Sequence, residues 1–363
     1  MPLKKGAEAP SVALMTWGRE DLVIDTGQST AGLERARGRK LQWSMPASNQ
    51  TYSMLPFLDG ATLRSLIDPI SLVKALEQGF AAEVSAPPRT HVSLASDRPS
   101  PDTLLMMPAW NEDVLGIKLA TIHPGNGNIN LPAVHASYVL KNRHTGEDLA
   151  LMDGIVLTQL RTAATSALAS SMLSREDATC LLMVGAGSLA LPLIEAHCAV
   201  RSISRILVWN RSKNRAARLA SSCSMPVTVV EDLASACIEA DVISCATLST
   251  EALICGANVR PGTHVDLVGA YRSDMRESDT SLIRQSSVFV DTFEGAQQEA
   301  GDLLLASTES DWSFDRIEAD LATLCQQHHA GRGTRDQITV FKSVGASLED
   351  LIAASLAWKR YSA

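Results

Sequence analysis

Apolar and polar residues alternate in two different ways along this chain, and the change divides it into two regions. Between about residues 55 and 157, short runs with strand-like alternation follow one helical segment at 68–80, in which Pro69 suits the first turn. Turn-forming residues separate the runs, and 144–146 has the composition of a hairpin loop. The predicted strands cover residues 91–95, 103–108, 115–122 and 136–142. We therefore expect an α+β region with an antiparallel sheet.

A helix predicted over 158–173 leads into the second region, where short and wholly apolar runs alternate with helical segments. Such runs are typical of parallel strands, because helices cover both faces of a parallel sheet. The predicted strands lie near residues 180–184, 205–210, 227–230, 241–246, 264–268 and 287–291. This alternation predicts a doubly wound parallel sheet. After Gly301 the chain becomes helical again, and residues 347–358 have the spacing of an amphipathic helix.

The first parallel strand runs into a glycine-rich turn and a helix. Gly185 permits a sharp turn, Gly187 lets the backbone approach a pyrophosphate, and Ala190 allows close packing of helix and strand. Ser188 lies at the start of this helix, whose free N–H groups and dipole favour phosphate. A turn of small residues can be purely structural, but here a strand precedes it and a helix follows. We therefore interpret it as a dinucleotide-binding turn.

The residues after the second parallel strand indicate which dinucleotide binds. An NAD site usually carries Asp or Glu at this point, to accept hydrogen bonds from the ribose hydroxyls. This chain has Asn210 and Arg211 there instead. Without a carboxylate nothing repels a 2′-phosphate, and Arg211 can pair with it. The alternative is that Arg211 is a solvated residue at a helix start. The sequence favours NADPH, with NADH as the alternative cofactor.

Three cations of the chain are candidates for substrate binding. Arg89 follows two prolines at the start of a strand, Lys118 lies inside an apolar strand, and Arg161 lies on the 158–173 helix. A cation in an apolar pattern costs solvation free energy unless it is paired. Each one separately is compatible with a structural ion pair or a solvated side chain. The three together, beside a dinucleotide fold, would form a clamp for a substrate carboxylate.

The loop after the Lys118 strand, at residues 122–132, is crowded with turn-forming and polar residues. It is either a surface turn or a loop that caps the substrate, because polar loops beside a buried cation often line binding sites. In the second interpretation, His123 and Asn126 bind the substrate.

Composition narrows the class of protein. The 363 residues, 45% of them hydrophobic and with a net charge of −8, are enough for two domains. The acidic balance and the absence of a basic stripe argue against a nucleic-acid partner. No apolar run reaches the roughly 18 residues of a membrane span. Seven cysteines without a C-x-x-C pair suit a reducing cytoplasm, and we predict no metal site. Residues 1–50 are predicted to be a poorly ordered extension.

Several motifs occur in an order that resembles the ornithine cyclodeaminase/mu-crystallin family. They are the Lys118 strand with its His-Pro-Gly-Asn loop, a Leu-Arg-Thr-Ala-Ala helix, the Gly-Ala-Gly turn, and Phe-Lys-Ser-Val-Gly at 341–345. The resemblance runs from about Met54 to the end of the chain. It implies a homodimer with a Rossmann domain over 158–324. Residues 51–157 and 325–363 would together form a substrate and dimerisation domain.

The resemblance also implies roles for individual residues. Arg89, Lys118 and Arg161 match the positions that bind the substrate's α-carboxylate and reactive nitrogen in family members. Ser343 matches a position near the nicotinamide. We therefore predict Lys118 and Arg161 as catalytic residues and Arg89 as a substrate-binding residue.

One departure from the family's pattern separates its activities. The deaminating cyclase has a Gly-Gly-Asp-Cys-Pro-Gly motif whose Asp serves in acid–base chemistry, whereas Tyr271 stands at that position here. A phenol is a poor base for an ammonium group at neutral pH. An imine reductase needs only a cation for the carboxylate, a proton source for the nitrogen, and NAD(P)H. The sequence therefore predicts reduction of a cyclic ketimine carboxylate, first of all Δ1-pyrroline-2-carboxylate to L-proline.

Two other functions stay open on the sequence alone. One is ornithine cyclodeaminase with tightly held NAD, which Tyr271 disfavours. The other is a non-catalytic NADP(H)-binding protein like the crystallin branch, which the three intact cations disfavour. An opine-type or alanine dehydrogenase is a further variant within the family.

Overall fold

The computed structural model describes residues 54–94 and 102–363, and the predicted extension at 1–50 lies outside these residues. The first region contains six strands and three helices, with a 3-10 helix at Pro124–Ile129. Their bounds are β1 (Phe57–Leu58), α1 (Gly60–Leu66), α2 (Pro69–Ala81), β2 (Thr90–Leu94), β3 (Asp102–Trp110), β4 (Val114–Ile122), β5 (Val134–Asn142), β6 (Asp148–Asp153) and α3 (Gly154–Leu173).

The second region alternates strands and helices up to the C-terminal helix α11. Its strands are β7 (Cys180–Val184), β8 (Arg205–Trp209), β9 (Val227–Val229), β10 (Val242–Cys245), β11 (His264–Leu267), β12 (Ser287–Val290), β13 (Ile317–Asp320) and β14 (Thr339–Lys342). Its helices are α4 (Ala190–Val200), α5 (Lys213–Ser222), α6 (Leu233–Glu239), α7 (Thr280–Gln285), α8 (Phe293–Glu299), α9 (Gly301–Glu309), α10 (Leu321–Cys325) and α11 (Ser347–Tyr361).

The first sheet has the strand order β1-β6-β5-β4-β3-β2. All neighbours are antiparallel except β1 and β6, so the predicted antiparallel sheet is confirmed. The side chain of Asn142 accepts the N–H groups of His144 and Thr145, which closes the predicted hairpin loop between β5 and β6. Helices α3 and α11 pack on this sheet.

The second sheet is parallel throughout, with the order β13-β12-β14-β11-β10-β7-β8-β9. The predicted fold class is confirmed by this doubly wound arrangement. The chain leaves β7 towards β8 and β9 on one side, and β10 and β11 lie on the other. In such sheets ligands bind outside the carboxyl ends of the strands where the order reverses. The order reverses between β7 and β10, and the glycine-rich turn directly follows β7 at this place.

The C-terminal segment does not belong wholly to the first sheet. The predicted boundary at residue 325 assigns β14 to the substrate domain, but β14 inserts between β11 and β12 of the parallel sheet. Its four fully buried residues gain two strand neighbours there. The chain then leaves the sheet, and α11 packs on α2, α3 and β4. The crossing between the two sheets therefore falls after Lys342.

Helix α3 begins at Gly154, four residues before the predicted start. The side chain of Asp153 accepts the N–H groups of Ile155 and Val156 and so caps the helix at the end of β6. Gly154 itself packs against β5, since a Cβ there would lie 2.8 Å from the carbonyl carbon of Ala136. None of the helices in residues 54–94 and 102–363 combines the length and hydrophobicity that a membrane span requires.

Candidate active site

Lys118 extends from β4 into the contact between the antiparallel sheet and α11. Its Nζ lies 2.7 Å from Oδ2 of Asp350 and donates to Oγ1 of Thr158 at 3.2 Å. The side chain is 4% exposed, although its strand neighbour Leu119, on the opposite face, is 38% exposed. The buried face of β4 therefore carries the charge, and the apolar residue lies outside.

Arg161 reaches the same carboxylate from α3. Its Nε lies 3.2 Å from Oδ1 of Asp350, and its Nη1 lies 2.6 Å from Oε2 of Glu349. Both carboxylates are fully buried in the first turn of α11. Lys118 and Arg161 are thus held next to each other by neighbouring acids of one helix.

Arg89 joins the cluster through the turn that precedes α11. Its Nη2 donates to the carbonyl oxygens of Val344, at 2.9 Å, and Gly345, while its Nε lies 3.3 Å from Glu299. Gly345 has a φ of +85°, and a Cβ there would lie 2.5 Å from Nη1 of Arg161. A glycine is required because the backbone has a left-handed conformation and touches a guanidinium. Arg89 and Arg161 therefore meet at Gly345, and Asp350 links Arg161 to Lys118.

Each of these cations keeps hydrogen-bonding capacity after its protein contacts are counted. Among the described residues no acceptor is recorded for Nη1 of Arg89, Nη2 of Arg161, or the third N–H of Lys118. Arg89 also lines a cavity between β3, α8 and the start of α11, together with Met107, Thr292 and Leu348. The contacts that hold the cations in place therefore leave donor groups unused, and one of the three cations faces a cavity.

Burial shifts the protonation equilibria of the cluster. It lowers the pKa of the Lys118 ammonium to about 8; Asp350 opposes this effect, and the positive charges of Arg161 and Arg89 add to it. For Arg161, burial is outweighed by Asp350 and Glu349, which hold its pKa above the ordinary value. Burial also raises the pKa of Glu349, against the effect of Arg161. Lys118 is therefore the member of the cluster that can release a proton near neutral pH.

The glycine-rich turn follows β7 as predicted and opens onto a cleft. Gly185 has a φ of +110°, and a Cβ there would lie 2.6 Å from the carbonyl oxygen of Ala246. A Cβ at Gly187 would meet nothing within 4 Å, so this residue faces open space. Ser188 is exposed beside it, and Ala190, the first residue of α4, is buried. The turn can therefore admit a phosphate group to its backbone.

The far wall of this cleft is basic. Arg211 and Arg215 both line it and are exposed, and the side chains of the lining residues include no carboxylate. Asn210 instead supports the turn, since its Oδ1 accepts the N–H of Ala186 at 3.1 Å. The lining residues are Gly185, Ala186, Gly187, Trp209, Asn210, Arg211, Arg215, Ala246, Thr247, Leu248, Ser249 and Leu253. The cleft lies at the carboxyl ends of the strands, beside the glycine-rich turn, where such sheets bind dinucleotides.

Ser343 directly follows β14 and is buried. Its Oγ donates to Oδ2 of Asp291 at 3.1 Å. The same oxygen accepts the N–H groups of Val344 and Gly345, at 2.8 and 2.6 Å. Asp291 therefore fixes the turn that connects Ser343 with the cation cluster.

The side chains of the loop residues His123 and Asn126 have partners outside the cation cluster. Nδ1 of His123 lies 3.0 Å from Asp102, and Nδ2 of Asn126 donates to the carbonyl oxygen of Pro132 at 2.8 Å. Neither residue contacts Arg89, Lys118 or Arg161 in the described part of the chain. A substrate-binding role for either residue stays a prediction.

The model of the ornithine cyclodeaminase/mu-crystallin family matches residues 61–363, which is most of the chain. The chain belongs to this family. Among its curated relatives is a Δ1-pyrroline-2-carboxylate reductase of Colwellia psychrerythraea, 38% identical over 290 residues, or 78% of this chain and 92% of the relative. The mouse ketimine reductase mu-crystallin is 36% identical over 300 residues, which cover 82% and 92% of the two chains.

A solved member of the family has the same fold. The Δ1-pyrroline-2-carboxylate reductase of Thermococcus litoralis, in complex with NADH and L-proline, matches with a TM-score of 0.80 and 32% identity. The match covers 85% of this chain and 98% of that protein. The resemblance seen in the sequence motifs is thereby confirmed.

Sequence reasoning missed several residues that contact the cations or the Gly345 turn, or line the cleft. Glu349 and Asp350 stand in the first turn of a predicted helix, where acids ordinarily serve the helix dipole. Glu299 and Asp291 carry no motif, and Arg215 follows Arg211 by one helical turn. One sequence signal could have indicated Glu349 and Asp350: they lie between the apolar residues Leu348 and Leu351. An acid beside a packed helix face needs a partner for its charge.

Proposed function

We propose that this protein is an NADPH-dependent reductase of cyclic ketimine carboxylates, with Δ1-pyrroline-2-carboxylate as the first candidate substrate and L-proline as its product. One observation carries the proposal. Arg89 and Arg161 meet at the turn of Gly345, and Lys118 shares the carboxylate of Asp350 with Arg161. Each of the three cations keeps a donor for which the described residues provide no partner. A carboxylate beside an imine nitrogen is the substrate chemistry that such a set suits.

In this proposal the cations have separate roles. The free edges of the Arg89 and Arg161 guanidinium groups bind the substrate carboxylate and orient the ring. Lys118 donates a proton to the imine nitrogen as it becomes an amine. A pKa of about 8 supports this role, since the ammonium is largely protonated at neutral pH and is still acidic enough to act. Thr158 and Asp350 hold its Nζ in place.

The second sheet provides the dinucleotide site. When bound, the reduced nicotinamide supplies the hydride for the carbon of the C=N bond. Gly187 and the start of α4 receive the pyrophosphate, and Arg211 with Arg215 binds the 2′-phosphate that distinguishes NADPH from NADH. Ser343 follows the carboxyl end of β14 in the same sheet, two residues before Gly345 of the turn that contacts Arg89 and Arg161.

The relatives support a reductase over a cyclodeaminase. One of them is named a Δ1-pyrroline-2-carboxylate reductase and another a ketimine reductase mu-crystallin, and a solved one contains NADH and L-proline. Tyr271 lies half-buried in the loop after β11, at the position where the deaminating enzyme has its Asp. The loss of that carboxylate removes the base needed to release ammonia.

The outer face of the antiparallel sheet supports a homodimer. Leu104, Met106, Ile117 and Val139 are half-exposed and Leu119 is exposed on this face, opposite the one that holds Lys118. A large apolar sheet face of this kind marks a protein–protein contact, here with a second copy of the chain.

All seven cysteines are free thiols, which supports the cytoplasm as the location.

The test is NADPH oxidation with a panel of cyclic imine carboxylates and 2-oxo acids, run beside ammonia release from L-ornithine with NAD. We expect turnover of the imine and no ammonia. Stoichiometric ammonia and proline from ornithine would instead favour the cyclodeaminase. Tight NADPH binding with no turnover of any substrate would favour the non-catalytic binding protein.

A further inference from the structure

One buried carboxylate outside the cation cluster ties the loop after β10, which lines the nucleotide cleft, to the loop after β11. Glu277 lies in the segment after β11 and is fully buried. Its Oε1 accepts the N–H of Thr247 at 2.6 Å and the Thr247 hydroxyl at 2.8 Å. Its Oε2 accepts the N–H of Gly269 at 2.6 Å. A single side chain therefore joins the loop after β10 to the loop after β11.

The loops after β10 and β11 are in close backbone contact. A Cβ at Gly269 would lie 1.9 Å from the carbonyl oxygen of Thr247. Ala246 and Thr247 in turn pack on Gly185 of the glycine-rich turn, and Thr247 lines the cleft. The spacing between Thr247 and Gly269 thus affects the shape of the cleft directly.

A third strand end joins the same buried network. Nζ of Lys342 donates to the carbonyl oxygen of Leu267 at 3.2 Å and lies 3.3 Å from Oδ2 of Asp302. Oδ1 of Asp302 accepts the N–H of Glu277 at 2.7 Å. Lys342 directly precedes Ser343. The network therefore lies under the carboxyl ends of β10, β11 and β14, the edge where parallel sheets bind ligands.

We propose that Glu277 is a positioning residue for the dinucleotide, whose ionised carboxylate sets the spacing of the Thr247 and Gly269 loops around the cofactor. The inference rests on the proposed function, since it concerns the same cleft. An ionised carboxylate accepts hydrogen bonds at both oxygens. A protonated carboxyl or an amide gives up an acceptor on one side, so one buried N–H loses its partner and its loop is released.

The charge of Glu277 responds to pH near neutrality. Burial raises its pKa to about 7; Lys342 of β14 opposes this shift, and Asp302 of α9 adds to it. Cys245 of β10 also faces the carboxyl, and burial holds the pKa of its thiol above the ordinary value, so it stays neutral. As pH falls through about 7 the carboxylate gains a proton, and affinity for the cofactor should weaken.

The test compares dissociation constants for NADPH, measured by nicotinamide fluorescence, on both sides of pH 7. Glu277→Gln is the test variant and Asp241→Asn the matched control. Asp241 is also a buried carboxylate that accepts two backbone N–H groups, those of Thr179 and Cys180, but at the amino ends of the strands. Above pH 7, Glu277→Gln should weaken NADPH binding about tenfold, the effect of one lost charge-assisted hydrogen bond. It should also abolish the pH dependence and speed amide exchange at Thr247 and Gly269.

Asp241→Asn should lower thermal stability and leave both the affinity and its pH profile unchanged. The 2′-phosphate of NADPH itself takes up a proton near about pH 6, so a parallel titration with NADH separates that contribution. Wild-type affinity and pH profile in Glu277→Gln would overturn the positioning role, even if the variant is less stable. If Glu277→Gln does not fold, Glu277→Asp keeps the charge with a shorter reach. Wild-type affinity in that variant would overturn the role equally.

The outcomes separate this inference from the proposed function. NADPH binding that depends on Glu277, without reduction of any imine, contradicts the reductase and leaves the positioning role standing. Imine turnover with unchanged cofactor binding in Glu277→Gln contradicts the positioning role alone.

Discussion

Nζ of Lys118 lies 2.7 Å from Oδ2 of Asp350, across 232 positions of sequence. The contact fixes the ammonium of a central strand against the first turn of the C-terminal helix. Because the same carboxylate also faces Arg161, the two cations are held together despite their mutual repulsion. The positive charge of Arg161 lowers the pKa of the Lys118 ammonium in addition to the effect of burial. A lowered pKa is what a proton donor at neutral pH requires.

Lys118→Met tests the proposed proton donor. We expect kcat/KM for the cyclic imine to fall about 30- to 150-fold, because losing one charge-assisted contact costs about 2–3 kcal/mol of transition-state stabilisation. NADPH affinity, measured by fluorescence, should stay close to that of the wild type, since Lys118 does not line the nucleotide cleft. Lys141→Met removes a half-exposed lysine of β5 and should change neither quantity. Near-normal turnover in Lys118→Met would remove Lys118 from the site.

The pH profile of kcat/KM reports the same group. Since the protonated amine is the active form, the rate should be constant below about pH 8 and fall as pH rises through this value. The profile is measured with saturating NADPH over the alkaline range. Lys118→Met should lack the alkaline limb. A limb that persists in the variant would assign it to another group.

Arg211→Ala and Arg215→Ala test the preference for NADPH. Each should raise KM for NADPH about tenfold, because each removes a charge-assisted contact to the 2′-phosphate. KM for NADH should change little, since that cofactor carries only a hydroxyl there. Arg218→Ala is a matched control on α5, the helix of Arg215, as Arg218 is exposed and does not line the cleft. An NADPH preference that survives both test substitutions would place the 2′-phosphate elsewhere.

Leu119→Glu tests the homodimer. A carboxylate on the apolar outer face of the antiparallel sheet should disrupt the contact between two copies, because burying it without a partner is costly. Light scattering after size exclusion should show a monomer mass for this variant and a dimer mass for the wild type. Ile238→Glu is the control, since Ile238 is 51% exposed on α6, in the parallel-sheet region. Equal masses for all three proteins at the same concentration would contradict the proposed interface.

Local sequence patterns predict much of the fold and part of the site. Period-2 alternation predicts the antiparallel strands, and short apolar runs between helices predict the parallel sheet, because burial on one face or two leaves different patterns. The positive φ of Gly185 and Gly345 accounts for two glycines of the motifs. Arg89, Lys118 and Arg161 stand out because a cation in an apolar context has a high solvation cost.

Only the tertiary structure decides which groups meet these residues. Glu349 and Asp350 are ordinary helix-start acids until α11 packs on β4 and α3 and buries them against the cations. The four residues of β14 are too few to indicate which sheet the strand joins. Its pairing with β11 and β12 places it in the parallel sheet. Glu277 bonds to residues of two separate loops. The physical reason is the same in each case: the free energy of a buried charge or of a short inner strand depends on partners distant in sequence, which no local pattern records.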